Sequence, residues 1–406
     1  MRISLAQLNF IIGDFDGNLE KMLAAVEKAK SENADIVCFA ELATCGYPPR
    51  DFLEFDDFIR LSEDIVARLT ALATDIAVVV GSPSRNPVVE GKDLFNSAYF
   101  LYDGKIQQIQ NKALLPTYDI FDEYRYFEPA KSFNVVEFKG KKIALTICED
   151  IWDVPKGPNN DGLDNPLYTF CPLDILAEQG PDLILNLSAS PFSYSQAKAR
   201  KHIIKCNVDR YKIPMFYVNH CGAQTELIFD GGSVVMSPNG KIFEELPYFE
   251  EALRLYDLEE VLHNEEERAQ EVGKMQLIHD ALILGLKDYF GKLGFKKAIL
   301  GLSGGIDSAV TAVLAQRALG KENVRVLLMP SQFSSDHSVE DARQLAINLG
   351  IQYDIVEIKD LYDAFTKKLE PHFKGTEFNI AEENLQARSR GVLLMAMSNK
   401  FGHILL

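Results

Sequence analysis

The chain has 406 residues, 47% hydrophobic and 25% charged, with 42 basic against 59 acidic side chains and a net charge of −17. Those fractions exclude a disordered, collagen-like or disulfide-stapled chain. The length exceeds the roughly 250–300 residues at which one core stops growing, which predicts at least two domains, and the acidic balance argues against a nucleic-acid partner.

The N-terminus enters an alternating stretch at once, without the basic and apolar regions of a signal peptide. No apolar run approaches the roughly 18 residues of a membrane span. A cytoplasmic protein without membrane contact is expected. Six cysteines (Cys38, Cys45, Cys148, Cys171, Cys206, Cys221) have no C-x-x-C spacing, which suits reduced thiols.

In chain order, β-rich runs are predicted over residues 2–8, 36–40, 76–81, 143–148, 183–187, 215–219 and 232–237. Amphipathic helices are predicted over 18–30, 57–73 and 196–211. The strands are too apolar to have one wet face, which points to an α/β arrangement. A glutamate-rich stretch between residues 256 and 274 is expected to be an exposed linker. It separates a first domain, 1–255, from a second, 275–406.

The second domain opens with a predicted helix over 275–293 and a strand over 297–302. A Gly-rich turn leads to a helix over 307–319, a strand over 324–329, a helix over 338–349 and a strand over 352–358. Gly320 and Gly350 occupy helix C-cap positions, and Ser338-x-x-Asp341 reads as a capping box. A last helix, 382–400, ends at Gly402, and His403-Ile404-Leu405-Leu406 begins another strand. Termini usually lie in exposed, unpaired segments, so a C-terminally truncated chain is expected.

Three residues of the first domain suit nucleophilic chemistry. Glu41 and Cys148 each end an apolar run, and Lys112 lies between them in sequence. Side chains at strand C-termini face the crevice where α/β proteins bind ligands. A cysteine becomes a strong nucleophile once a base takes its proton, and a lysine cation can stabilise a developing oxyanion. Spacing alone supports only a hydrolase.

The local motifs say more. Phe39-Ala40-Glu41-Leu42, Asn111-Lys112 with the following Pro116-Thr117-Tyr118-Asp119-Ile120-Phe121-Asp122-Glu123, and Ile147-Cys148-Glu149-Asp150 resemble the glutamine-hydrolysing branch of the nitrilase/amidase superfamily. Leu185-Asn186-Leu187-Ser188-Ala189-Ser190-Pro191-Phe192 and Phe229-Asp230-Gly231-Gly232-Ser233 match in the expected order. The resemblance implies a four-layer α-β-β-α sandwich with Glu41 as general base, Cys148 as nucleophile and Lys112 as electrostatic stabiliser. It implies that Tyr118 and Ser190 hold glutamine. The third such position, normally basic, is Gln196 here, with Lys198 and Arg200 nearby.

In the second domain, Gly301-Leu302-Ser303-Gly304-Gly305-Ile306-Asp307-Ser308 lies between a strand and a helix. Small residues there let backbone N–H groups close round an anion at a helix N-terminus. No lysine follows, so this is not the P-loop of triphosphate transfer. The Ser-Gly-Gly-x-Asp-Ser pattern resembles the pyrophosphate-binding loop of N-type ATP pyrophosphatases, on a Rossmann-like parallel sheet. The resemblance makes residues 301–308 the ATP-binding loop and Asp307 a ligand of Mg²⁺.

Ser334-Ser335-Asp336-His337-Ser338 and Glu382-Glu383-Asn384-Leu385-Gln386-Ala387-Arg388 are similar to NAD synthetases, where Asn384 would contact deamido-NAD. The domain order is that of the glutamine-dependent NAD synthetases. The resemblance implies glutamine, ATP and deamido-NAD as substrates and a homodimer or larger homo-oligomer. On the expected truncation, the chain keeps the glutaminase half and cannot complete the synthetase site. The alternatives are a stand-alone carbon–nitrogen hydrolase, a Gly-loop enzyme modifying RNA, and a non-catalytic scaffold.

Overall fold

A computed structural model describes residues 1–153 and 168–406. It divides into two compact units, 1–281 and 282–406.

Two six-stranded sheets form the centre of the first unit. One orders Ala252–Asp257, Arg2–Gln7, Ile36–Phe39, Ala77–Arg85, Leu94–Tyr102 and Lys105–Asn111 side by side. The other orders Ile242–Glu245, Val234–Met236, Met215–Asn219, Leu183–Ser188, Lys141–Ile147 and Val136–Phe138. In each, three parallel strands are flanked by antiparallel ones.

Side chains alternate across a strand, and here both faces are apolar. Ile3, Leu5, Ile36, Cys38 and Val79 pack against Ile143, Leu145, Leu185 and Val218 in a core shared by the two sheets. The opposite face of the first sheet, through Val37, Phe39 and Val78, meets helices Phe15–Ser31 and Asp56–Leu72. The opposite face of the second, through Ala144, Ile184 and Met215, meets helix Gln196–Tyr211. The result is the four-layer α-β-β-α sandwich, and it explains why the strands carry no polar alternation.

The stretch expected as an exposed linker is partly folded. Residues up to Asp257 continue the first sheet, and Leu258–Leu262 is a short helix whose Leu258 and Val261 are buried in the shared core. Apolar residues interleaved with the glutamates give the stretch an inward face.

The second unit carries a four-stranded parallel sheet ordered Gln352–Ile355, Val324–Leu328, Ala298–Gly301, Ile404–Leu405. Helices Ile306–Leu319 and Asp336–Leu349 cover one face, and helix Ile380–Phe401 packs on the other. Strand order reverses beside Ala298–Gly301, which is where open parallel sheets bind ligands. The cap of helix Asp336–Leu349 is Ser335, whose side chain accepts from Ser338 N–H, rather than Ser338. Two further strands of the first sheet, Leu94–Tyr102 and Lys105–Asn111, and helix Lys359–Phe373 were not expected from the sequence.

Candidate functional site

Glu41 lies just beyond strand Ile36–Phe39, and both it and Lys112 are fully buried. Lys112 Nζ donates to Glu41 Oε1 at 2.7 Å and to both oxygens of Glu123 at 2.8 Å. Asn96 Nδ2 donates to the same Glu41 oxygen at 2.7 Å. That leaves Glu41 Oε2 buried without a hydrogen-bond partner. Tyr47 OH donates to Glu123 Oε1 at 2.8 Å.

Close approach at this turn requires glycine. A Cβ on Gly81 would stand 2.4 Å from Leu42 N and 2.8 Å from the Glu41 carbonyl carbon. His220 braces the other side, with Nε2 2.6 Å from the Glu41 carbonyl oxygen.

Cys148 follows strand Lys141–Ile147 with φ +42°, a left-handed conformation unusual for a side-chain-bearing residue. Such strain clusters at functional sites. Asp150, two residues on, fixes the turn. Its Oδ2 accepts from Ile147 N at 3.0 Å, and its Oδ1 accepts from Ala113 N at 2.9 Å and Leu114 N at 3.0 Å. One carboxylate thus ties the cysteine turn to the segment carrying Lys112.

The electrostatics follow from burial. Desolvation raises the Glu41 carboxyl above its ordinary range although Lys112 opposes it. Burial alone would lower Lys112, but Glu123 and Glu41 hold it well above the usual lysine value. Burial, reinforced by the Glu41 charge, raises the Cys148 thiol well above its ordinary value, with Lys112 opposing. The resting cysteine is therefore a neutral thiol that needs a base beside it.

Tyr118 OH donates to the buried Glu149, at 2.9 and 3.0 Å from its two oxygens, and Tyr168 OH does so at 3.2 Å. Burial raises Glu149 to about 7 despite Lys112 and the two hydroxyls. Ser190 is buried, and Asn219 accepts from its N–H at 2.8 Å and donates to its carbonyl at 3.2 Å. Gln196 begins helix Gln196–Tyr211, with Nε2 3.4 Å from Ser190 Oγ. Arg200 is committed elsewhere: buried, it pairs with Asp230 at 2.9 and 3.0 Å. Lys198 remains exposed.

In the second unit, loop 303–308 folds back on itself. Ser308 Oγ accepts from Ser303 N at 3.2 Å, and Ser303 Oγ accepts from Gly305 N at 3.2 Å. Gly304 has φ +83°, and a Cβ there would meet the Ser338 carbonyl oxygen at 2.2 Å. Beside the loop lies a cavity of about 280 Å³ lined by Gly301, Ser303, Met329, Ser338 and Arg390 among others. Ile306 and Asp307 are exposed at the first turn of the next helix. Asn384 is exposed on helix Ile380–Phe401 and does not line that cavity.

Sequence reasoning missed Glu123, Asn96 and Asp150 as members of the cluster. Glu123 and Asp150 stand inside the motifs already quoted, but a carboxylate's role depends on which distant segment it meets.

The first unit is thus an α-β-β-α sandwich with Glu41, Lys112 and Cys148 buried at the ends of its strands, and the second a parallel-sheet unit with a Gly-rich loop before a helix. The carbon–nitrogen hydrolase family matches residues 2–153, and the NAD synthase family matches residues 278–406. The glutamine-dependent NAD(+) synthetase of Synechocystis sp. is 43% identical over all of this chain and 73% of its own length. That of Thermotoga maritima is 37% identical with the same coverage. The structure of the Acinetobacter baumannii glutamine-dependent NAD+ synthetase, in complex with ADP, superposes with a TM-score of 0.91 at 35% identity, covering 100% of this chain and 73% of that one. An amidase from Nesterenkonia sp. shares the sandwich fold at 24% identity and a TM-score of 0.52, covering 63% of this chain and 89% of that one.

The chain belongs to the glutamine-dependent NAD(+) synthetases, a family of carbon–nitrogen ligases that use ATP. The expectation that only the glutaminase half is retained finds no support, because the NAD synthase match runs from 278 to 406. Among the described residues no helix is long and apolar enough to cross a membrane.

Proposed function

We propose that the first unit hydrolyses glutamine and that the ammonia released amidates deamido-NAD in an ATP-dependent reaction using the second. The observation that carries this reading is the buried Glu41–Lys112 pair, whose one unpartnered oxygen, Glu41 Oε2, is free to take a proton beside the Cys148 turn.

The chemistry follows from those groups. Cys148 Sγ attacks the side-chain amide carbon as its proton passes to Glu41. Lys112 lowers the energy of the oxyanion that forms. Glu41 returns the proton to the nitrogen, the C–N bond breaks, and ammonia leaves a thioester. Water, deprotonated by Glu41, then releases glutamate and the thiol. Tyr118, Ser190 and Gln196 hold the substrate. Arg200 does not anchor the substrate carboxylate in this reading, because Asp230 occupies its guanidinium.

In the second unit, loop 301–308 and the N-terminus of helix Ile306–Leu319 receive ATP phosphates, and Asn384 contacts deamido-NAD. The nicotinic-acid carboxylate displaces pyrophosphate from ATP, and ammonia then displaces AMP to give NAD. Mg²⁺ takes few protein carboxylates together with phosphate oxygens, and the exposed Asp307 fits that donor set. Bound there, it would neutralise phosphate charge. Functional domains 1–255 and 275–406, a homo-oligomer and a cytoplasmic location complete the reading.

The test compares glutamine hydrolysis by the full chain and by Cys148→Ala over a panel of amides. Loss of at least ~1,000-fold with the substitution, and a marked preference for glutamine over short aliphatic amides, are expected. Equal turnover of the short amides would overturn glutamine as the substrate.

A further inference from the structure

Residues 264–273 form neither helix nor strand, yet they are fastened to the first unit. Arg268 N donates to the Ile242 carbonyl at 2.9 Å, continuing beyond the edge of the second sheet. Gln270 N donates to Glu245 Oε2 at 2.8 Å, and its Nε2 donates to the Glu245 carbonyl at 2.6 Å.

Glu245 is the hub. Its side chain is fully buried, and the oxygen that receives Gln270 also pairs with Lys201 at 3.1 Å. Lys201 lies on helix Gln196–Tyr211, whose first residue is a proposed glutamine contact. A second link follows at the end of the connector. Lys274 Nζ stands 3.8 Å from the centroid of the Tyr194 ring, which lies between Ser190 and Gln196 in sequence. The helix start has no side-chain cap of its own, since Ser195 caps nothing. The Ser193 carbonyl accepts from Gln196 N at 3.0 Å, but without a side-chain cap the first turn gains from contacts outside the helix.

We infer that Lys274 and Glu245 are positioning residues for glutamine binding, holding segment 190–196 through Tyr194 and Lys201. The inference rests on the proposed role of Ser190 and Gln196. It makes substrate affinity in the first unit depend on a connector outside the part matched by the carbon–nitrogen hydrolase family.

The test measures ammonia release from glutamine by the full chain. Lys274→Ala is expected to raise KM for glutamine about 2- to 5-fold, the scale of an exposed cation–π contact, with kcat unchanged. Lys274→Arg keeps the cation over the ring and restores the parental KM. Tyr194→Phe behaves as the parent, and Tyr194→Ala matches Lys274→Ala. Glu245→Gln raises KM further, and should it fail to fold, the Lys274–Tyr194 series decides alone. A parental KM in Lys274→Ala, or a fall in kcat at constant KM, overturns the inference. A parent that hydrolyses no glutamine overturns the proposed function and this inference with it.

Discussion

Three buried charged side chains share one problem at the residue scale: each charge must be balanced inside the protein. Lys112 is held between Glu41 and Glu123, so one cation faces two carboxylates at 2.7 to 2.8 Å. Burial raises Glu41 although Lys112 opposes it, and burial reinforced by the Glu41 charge raises the Cys148 thiol. In the proposed reaction Glu41 accepts the thiol proton only when ionised, so activity would rise with pH as it loses its own. The acid limb of kcat/KM for glutamine is therefore expected above the ordinary glutamate value of 4.5. A pH–rate profile whose acid limb lies at or below 4.5 would count against Glu41 as the base. Glu41, Lys112 and Cys148 stood out in the sequence because each lies inside a short motif. Glu123 and Asn96 did not, because what they do rests on partners in other segments: Glu123 meets Lys112 and, 76 positions away, Tyr47, and Asn96 meets Glu41 across 55.

The site's precision belongs to the elements. Strand Ala77–Arg85 runs so close to the Glu41 turn that only glycine fits at position 81. In Gly81→Ala the added methyl would meet backbone atoms, which cannot swing aside as a side-chain tip would. The Glu41 turn must then shift, and small displacements of a catalytic group are costly. A fall of about 100-fold or more in kcat is expected for glutamine hydrolysis, with a lowered Tm. An alanine variant with parental kcat would show that the turn is not held by this contact. Legibility at this scale followed burial. Strands buried on both faces, such as Met215–Asn219, read clearly from their apolar runs. The edge strand Lys105–Asn111 is polar and mostly exposed, and helix Lys359–Phe373 buries only Tyr362, so neither leaves a core-facing pattern.

For the whole molecule, stability depends on carboxylates that fold into apolar surroundings. Burial raises Glu149 to about 7 and Asp150 to about 6, the latter despite three backbone N–H donors. Each carboxyl binds its proton more tightly folded than unfolded. The folded state therefore holds more protons between the ordinary carboxylate range and those values, and stability falls as pH rises through that window. Glu149→Gln removes one of the two groups. Its Tm relative to the parent is expected to climb between pH 4.5 and 7 and level off above. Parallel Tm curves for parent and variant across that range would show that Glu149 does not titrate there.

The sequence by itself determined the two-domain α/β plan and the family, and it singled out Glu41, Lys112 and Cys148. Those features are local: apolar runs, turn glycines and contiguous motifs survive in one dimension. Tertiary structure alone decided that Glu123 shares Lys112, that Asp150 ties the cysteine turn to the lysine segment, and that Asp230 pairs with the buried Arg200. It also decided that the glutamate-rich connector, though largely exposed, is fastened to the first unit at Glu245 and Tyr194. A charge's partner is whichever group the folded chain brings within about 3 Å, and sequence order does not encode that distance.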